Sequence, residues 1–270
     1  MSSPGDEQPL VPAVGLEESE LDTPRLNDRR PCDSRIKRLI IVPAWNEAAA
    51  LGATLREIHA TVPMMDLLVV DDGSTDDTAQ IATQFGATVL RLPFNLGVGG
   101  AMRAGYEYAK RYDYDQTIQV DADGQHNPDD IVQVFSGLEL ADISIGARFA
   151  GRDEYTVKGP RKWAMKLLAA VISRLAHTKL TDITSGFRAA NRRGIEQYCR
   201  HYPAEYLGDT VDSLVGAIKS GVSVTQVSVS MRSRRAGIPS HNPFRSSIYL
   251  LRSLVALGLA VTRRSTTMNG

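Results

Sequence analysis

The 270-residue chain predicts a single α/β domain: a mostly parallel central sheet flanked by helices. Two observations carry that reading. Short, continuously apolar runs alternate with helix-length segments, the pattern of βαβ units whose sheet is buried on both faces. With 43% hydrophobic and 23% charged residues, the chain has the balance of a soluble globular protein and the length for one large core.

Leu39-Ile40-Ile41-Val42 reads as a buried strand that stops at Pro43, followed by a helix from Glu47 to about Thr61 with apolar positions at Leu51, Leu55 and Ile58. Leu67-Leu68-Val69-Val70 is the next strand and Asp71-Asp72-Gly73-Ser74 the turn behind it. A helix over 76–85, a strand over 88–90, a helix over 99–111 and a strand over 117–120 complete the alternation. Past 141–146 the pattern changes to a basic helix (161–177), a Gly/Ser/Thr-rich turn (181–186), a helix over 209–220 and a strand over 223–230. No linker marks this second half off as a separate domain.

Lys plus Arg (31) equals Asp plus Glu (31), so net charge argues for no nucleic-acid partner. Two cysteines make a disulfide framework improbable and a reducing cytoplasm the simpler compartment. Residues 1–35 carry five prolines and acidic residues without a signal-peptide core, and read as a disordered tail. The folded domain is expected over 36–243, and an amphipathic helix and tail over 244–270.

In parallel sheets, ligands collect at the carboxyl ends of the strands, and the acidic clusters fall there. In Asp121-Ala122-Asp123-Gly124-Gln125-His126, behind the run 116–120, alternation along extended chain would put Asp121 and Asp123 on one face. Two carboxylates that close repel unless a cation lies between them, and hard oxygen ligands suit Mg²⁺ or Mn²⁺ with positions left for phosphates. The plainer alternative is a solvated strand-end turn.

Val42-Pro43-Ala44-Trp45-Asn46-Glu47 offers a flat indole for a base and a carboxylate for a ribose or base donor; its plainer role is helix capping by Asn46. Asp71 and Asp72 can accept donors from a base or ribose, or simply form an Asx turn. Asn95-Leu96-Gly97-Val98-Gly99-Gly100 opens a helix but lacks the G-x-G-x-x-G spacing, which argues for a tight turn near the nucleotide rather than a nicotinamide cofactor. Arg148, behind the strand ending at Gly146, can meet a phosphate or pair with Asp121 or Asp123.

Together, V-P-A-W-N-E (42–47), V-V-D-D-G-S-T-D (69–76), N-L-G-V-G-G-A (95–101), D-A-D-G-Q-H (121–126), G-A-R-F (146–149), D-I-T-S-G-F-R (182–188) and R-R-A-G-I-P-S (234–240) resemble the inverting family 2 glycosyltransferases of the dolichyl-phosphate mannose synthase-like type. The resemblance spans about residues 38–260. It implies a GT-A (Rossmann-like) fold, a UDP- or GDP-linked sugar donor, a divalent metal and a polyprenyl phosphate acceptor. Carried onto this chain, Pro43, Ala44, Trp45 and Glu47 contact the nucleoside, Asp71 or Asp72 its base or ribose, and Gly97 and Ala122 line the donor. Asp121, Asp123 and Gln125 sit at the metal and diphosphate, with Arg148 on a phosphate or the sugar and Arg234 on the phosphates of donor and acceptor. The chain departs from the family at 237–241, where one residue is inserted and His241 stands in place of a lysine or serine. That departure keeps open a soluble small-molecule acceptor, for which Asp209 is the candidate base; its plainer role is helix capping. A non-catalytic nucleotide-sugar-binding scaffold is the reading from another class, disfavoured by the clustered carboxylates and arginines.

Ile248, Leu251, Leu254, Val255 and Leu259 form a stripe of helical period, interrupted or flanked by Arg245, Arg252, Arg263 and Arg264. It is too short to span a bilayer and suits the headgroup plane on the cytoplasmic face of a membrane. Docking on the domain or on a second copy in a homo-oligomer is the alternative. The surface-helix reading predicts salt-sensitive flotation with anionic liposomes that is lost on deleting 244–270; a full-length protein that stays in the supernatant at low salt supports the docked helix.

Overall fold

The computed structural model describes residues 36–147, 160–202 and 209–232, without the side chains of 160–166 and Asp209. The tail over 1–35 and the stripe over 244–270 lie outside the described residues. The elements run β1 (Arg38–Ala44), α1 (Ala48–Thr61), β2 (Asp66–Asp71), α2 (Thr78–Gln84), β3 (Thr88–Arg91), α3 (Gly97–Arg111), β4 (Gln116–Gln119), α4 (Ile131–Ser136), β5 (Ile143–Ala147), α5 (Pro160–Ala176), β6 (Arg188–Asn191), α6 (Arg192–Arg200), α7 (Asp209–Lys219) and β7 (Val224–Ser228). They build one seven-stranded sheet in the order β3-β2-β1-β4-β6-β5-β7. Only β6 runs against its neighbours, antiparallel to both β4 and β5.

Alternate residues of the apolar runs leave the sheet on opposite faces, which is why the runs are continuous rather than amphipathic. Leu39, Ile41, Leu68 and Val70 join a core with Met102 and Tyr106 of α3, Ile172 of α5, Tyr198 of α6 and Leu214 of α7. Ile40, Val42 and Val69 join the opposite core with Leu51, Leu55 and Ile58 of α1 and Ile131 and Val134 of α4. Each such fully buried aliphatic side chain contributes about 1.5–3 kcal/mol. Among the described residues, no helix is long and apolar enough to cross a membrane.

One expectation needs correction, and three elements were missed. β1 does not stop at Pro43 but continues to Ala44, pairing Pro43 with Val70 of β2. The ladder with β4 ends at Ile41–Gln119, so the missing proline N–H is not needed on that side. The short helices α4 and α6 and the strand β6 were not anticipated. Arg188-Ala189-Ala190-Asn191 has neither the branched side chains nor the alternation of a strand, and takes its conformation from pairing on both edges.

Asp142 ties the second half together. Its carboxylate accepts from Asn191 Nδ2 at 3.0 Å and from Ser223 N and Oγ at 2.9 and 2.8 Å, with Arg193 at 3.3 Å. Partial burial pushes its carboxyl upward, but these donors outweigh it and hold it below the ordinary value of 3.8. Its stabilising contribution is therefore complete above about pH 4 and lost as pH falls through the lowered value. Asp142→Asn is expected to lower stability at neutral pH and to flatten the loss of stability below pH 4, read by urea unfolding across pH; an unaltered acid limb would contradict this role.

Candidate active site

The parallel pairing of β1 with β2 and β4 sets three strand-end loops side by side at one sheet edge. The loop after β1 and the loop after β2 are laced by hydrogen bonds. Asp72 N donates to Ala44 O at 2.9 Å, Asn46 N to Ser74 Oγ at 2.9 Å, Glu47 N to Thr78 Oγ1 at 3.0 Å and Ala48 N to Asp76 Oδ2 at 3.1 Å. The amides at the start of α1 are thus capped by the neighbouring loop, not by Asn46. That residue has a left-handed φ of 53° and turns its Oδ1 to Thr75 N at 2.9 Å. Beside this lacing Trp45 stays 42% exposed, a free aromatic face at the strand edge, while Ala44 is buried and Pro43 and Glu47 are half-buried.

Asp71 and Asp72 are both committed within the protein. Asp71 is fully buried, with Oδ1 accepting Ser74 N at 3.0 Å and Oδ2 facing Arg91 Nε at 3.2 Å. Asp72 accepts Leu96 N at 2.7 Å and Gly97 N at 2.8 Å, one on each oxygen. Burial pushes its carboxyl above the ordinary value, against the lowering pull of those two amides. Gly97 opens α3 at φ +81°, two residues earlier than Gly99 as expected from sequence. A phosphate-binding helix start keeps such N–H groups for its anion; here an aspartate takes that place, which removes the dinucleotide-loop reading on physical grounds.

The D-x-D segment is not an extended strand end. β4 stops at Gln119, and Asp121 to Gly124 form a turn closed by Gly124 at φ +75°. The alternation expected to align Asp121 with Asp123 therefore does not operate, and their placement comes from contacts instead. Asp121 Oδ1 accepts Gln119 Nε2 at 2.9 Å, and its backbone N–H donates to His126 Nδ1 at 3.0 Å. Asp123, 8% exposed, accepts Gln125 N at 3.0 Å. Ala122 is buried and its carbonyl accepts Thr54 Oγ1 of α1 at 2.9 Å. Gly186 passes so close that a Cβ there would lie 2.9 Å from Gln119 Nε2 and 3.5 Å from both Asp121 carboxylate oxygens.

The Asp121 side chain keeps 36% exposure, and a carboxylate offers about four lone-pair directions, so the turn retains capacity for a cation. Among the described residues no point is ringed by three or more His, Cys, Asp or Glu. Two carboxylates and the Gln125 amide make a sparse, hard oxygen set, which suits a Mg²⁺-like ion that keeps water and phosphate ligands. The donor chemistry therefore fits a divalent metal.

Of the sequence-predicted residues, Trp45, Asp71, Asp72, Gly97, Asp121, Ala122, Asp123 and Gln125 meet at this edge. Arg148 and Arg234 lie outside the described residues; β5 ends at Ala147, one residue before Arg148, and Arg232, two residues before Arg234, donates its backbone N–H to Gln125 O at 2.9 Å. Asp209 begins α7, where Arg188 Nη1 holds the Thr210 carbonyl at 2.7 Å. Gln119, Thr54, Gly186 and Phe187 were not anticipated as site residues. The S-G-F-R string was the only trace of the last two, since nothing local ties residue 186 to residue 121.

A sheet of this order, with its carboxyl edge carrying the D-x-D turn, is the GT-A architecture of nucleotide-sugar transferases. Residues 39–199 match the family model "Glycosyl transferase family 2", and the chain belongs to that family: it is a glycosyltransferase. It is 29% identical to a polyprenol monophosphomannose synthase of Mycolicibacterium smegmatis, over 75% of this chain and 80% of that one. It is 32% identical to an undecaprenyl-phosphate mannosyltransferase of Micrococcus luteus, over 74% of this chain and 78% of that one. In fold it is similar to the crystal structure of glucosyl-3-phosphoglycerate synthase from Mycobacterium tuberculosis in complex with Mn²⁺, UDP-glucose and phosphoglyceric acid, with TM-score 0.61 at 23% identity, covering 85% of this chain and 81% of that one.

The Asp72 clamp makes a direct prediction. Asp72→Ala takes the acceptor from Leu96 N–H and leaves Gly97 N–H with Asn95 Oδ1 at 3.1 Å, and is expected to cost about 1–3 kcal/mol, measured by urea unfolding. Stability equal to wild type would show that the Leu96 N–H is satisfied elsewhere.

Proposed function

We propose that the enzyme moves a sugar from a nucleoside-diphosphate sugar to a polyprenyl phosphate with inversion, using Mg²⁺ or Mn²⁺ held by Asp121, Asp123 and Gln125. The single observation that carries the donor half is the D-x-D turn at the same carboxyl edge of the sheet from which the exposed Trp45 follows β1. Similarity to two polyprenyl-phosphate mannosyl transferases over three quarters of the chain supports the acceptor half. When bound, the metal would neutralise the leaving diphosphate. Trp45 would stack on the base, with Glu47 on the nucleoside, while Asp71 and Asp72 act one step back by setting the loops. Arg148 and Arg234 would pair with donor and acceptor phosphates. A phosphate monoester with a second pKa of about 6 is already largely anionic at neutral pH, so attack needs alignment rather than a strong base.

A second reading, transfer to a soluble hydroxyl acceptor with Asp209 as base, rests on the departure from the family pattern at 237–241. Peripheral membrane contact at the cytoplasmic face fits the first reading, because the acceptor would be lipid-borne.

The test is a panel of UDP- and GDP-sugars against polyprenyl phosphate and soluble alcohols, with Mn²⁺ or excess EDTA, for wild type and Asp123→Ala. The expected outcome is metal-dependent nucleotide release with polyprenyl phosphate, a β-linked product from an α-linked donor by anomeric NMR, and a folded but nearly inactive Asp123→Ala. Full turnover in EDTA removes the metal from the reading, and transfer to alcohols alone selects the second one.

A further inference from the structure

His126 is 3% exposed, and both of its ring nitrogens face the same residue. Nδ1 accepts the Asp121 backbone N–H at 3.0 Å, so that nitrogen carries no proton and the ring's N–H is on Nε2. Nε2 in turn lies 3.6 Å from Asp121 Oδ2, on the other carboxylate oxygen from the one bonded by Gln119. The ring is kept from turning by Phe187, stacked on it at 4.7 Å between centroids and 13° between planes. Its backbone is pinned from the far side by a β-bridge to Met231, next to Arg232, whose Nη1 reaches Glu57 of α1 at 2.8 Å.

We propose that His126 is a positioning residue for the metal-binding turn: its imidazole holds the Asp121 backbone through Nδ1 while its Nε2 edge packs beside the Asp121 carboxylate, fixing the orientation in which that carboxylate meets a divalent cation. The inference rests on Asp121 and Asp123 being the metal site. Turns are ordinarily plastic, and β4 has already ended at Gln119, so no strand hydrogen bonding orients residue 121. Gln119 on one side and His126 on the other replace it. Partners that orient ligating groups typically change metal affinity 10–100-fold when removed, although they touch no metal themselves.

The experiment is Mn²⁺ binding to the full-length protein followed by EPR of the free ion, with UDP or GDP present, for wild type, His126→Phe and His126→Asn. Phe keeps the ring and its stack but neither nitrogen; Asn restores an acceptor near the Nδ1 position without the Nε2–H. The expected result is a Kd for Mn²⁺ raised about 10–100-fold in His126→Phe and partly recovered in His126→Asn. In assays, the Mn²⁺ concentration for half-activation should rise in step, while kcat at saturating Mn²⁺ holds. A merely structural histidine would lower the melting temperature and leave the metal constants alone. Wild-type Mn²⁺ affinity in a folded His126→Phe overturns the proposal. Should His126→Phe fail to fold, His126→Asn decides, and wild-type affinity there overturns it equally. A wild type that binds no Mn²⁺ overturns the metal reading and this inference with it, an outcome distinct from equal binding by wild type and variants.

Discussion

The arrangement of the site depends on the register of β1 between β2 and β4. Because all three run parallel and end within a few residues of one another, the segments after Ala44, Asp71 and Gln119 are delivered to the same edge. Ladder bonds reach only a residue into these loops, at Asp72 N to Ala44 O and Val120 N to Ile41 O. Each is instead tied to a neighbour: Asn46 to Ser74 and Thr75, Asp72 to the start of α3, Ala122 to Thr54. A site made from separate loops becomes one rigid surface when side chains of one loop satisfy the backbone of the next.

This division of labour sorts the acidic residues. The carboxylates at 71 and 72 are drawn inward, where they meet amide or guanidinium donors and fix loops. Asp121 keeps an exposed carboxylate, and its own positioning falls to Gln119, His126 and the close passage of Gly186. Clustered carboxylates thus serve two ends, and burial together with the supply of N–H donors separates them.

The antiparallel β6 links the two halves. By inserting between β4 and β5 it brings the 183–187 segment against the D-x-D turn, with Arg188 donating to the carbonyls of Ser185, Ile183 and Thr210 at 2.7, 2.6 and 2.7 Å. Through that guanidinium the turn that stacks Phe187 on His126 is joined to the start of α7. The donor edge and the second half are therefore one construction rather than two domains meeting at a cleft.

What the amino-acid order determined by itself was local or periodic. The branched apolar runs at 39–42 and 67–70 had to be buried strands, the helical spacing at 51, 55 and 58 had to face a core, and the ordered motifs carried the family. Tertiary structure alone decided what depends on partners distant in the chain. Arg188–Asn191 became a strand because two edges were waiting for it. Asn46 turned from capping its own helix to bridging residue 75, 29 positions away. Asp72 met amides 24 and 25 positions on, and Asp121 took its orientation from a turn, a buried histidine and a glycine 65 residues later. Period and propensity act over a few residues, whereas a hydrogen bond is set by which groups the fold brings within about 3 Å of each other, and that is a property of the assembled sheet.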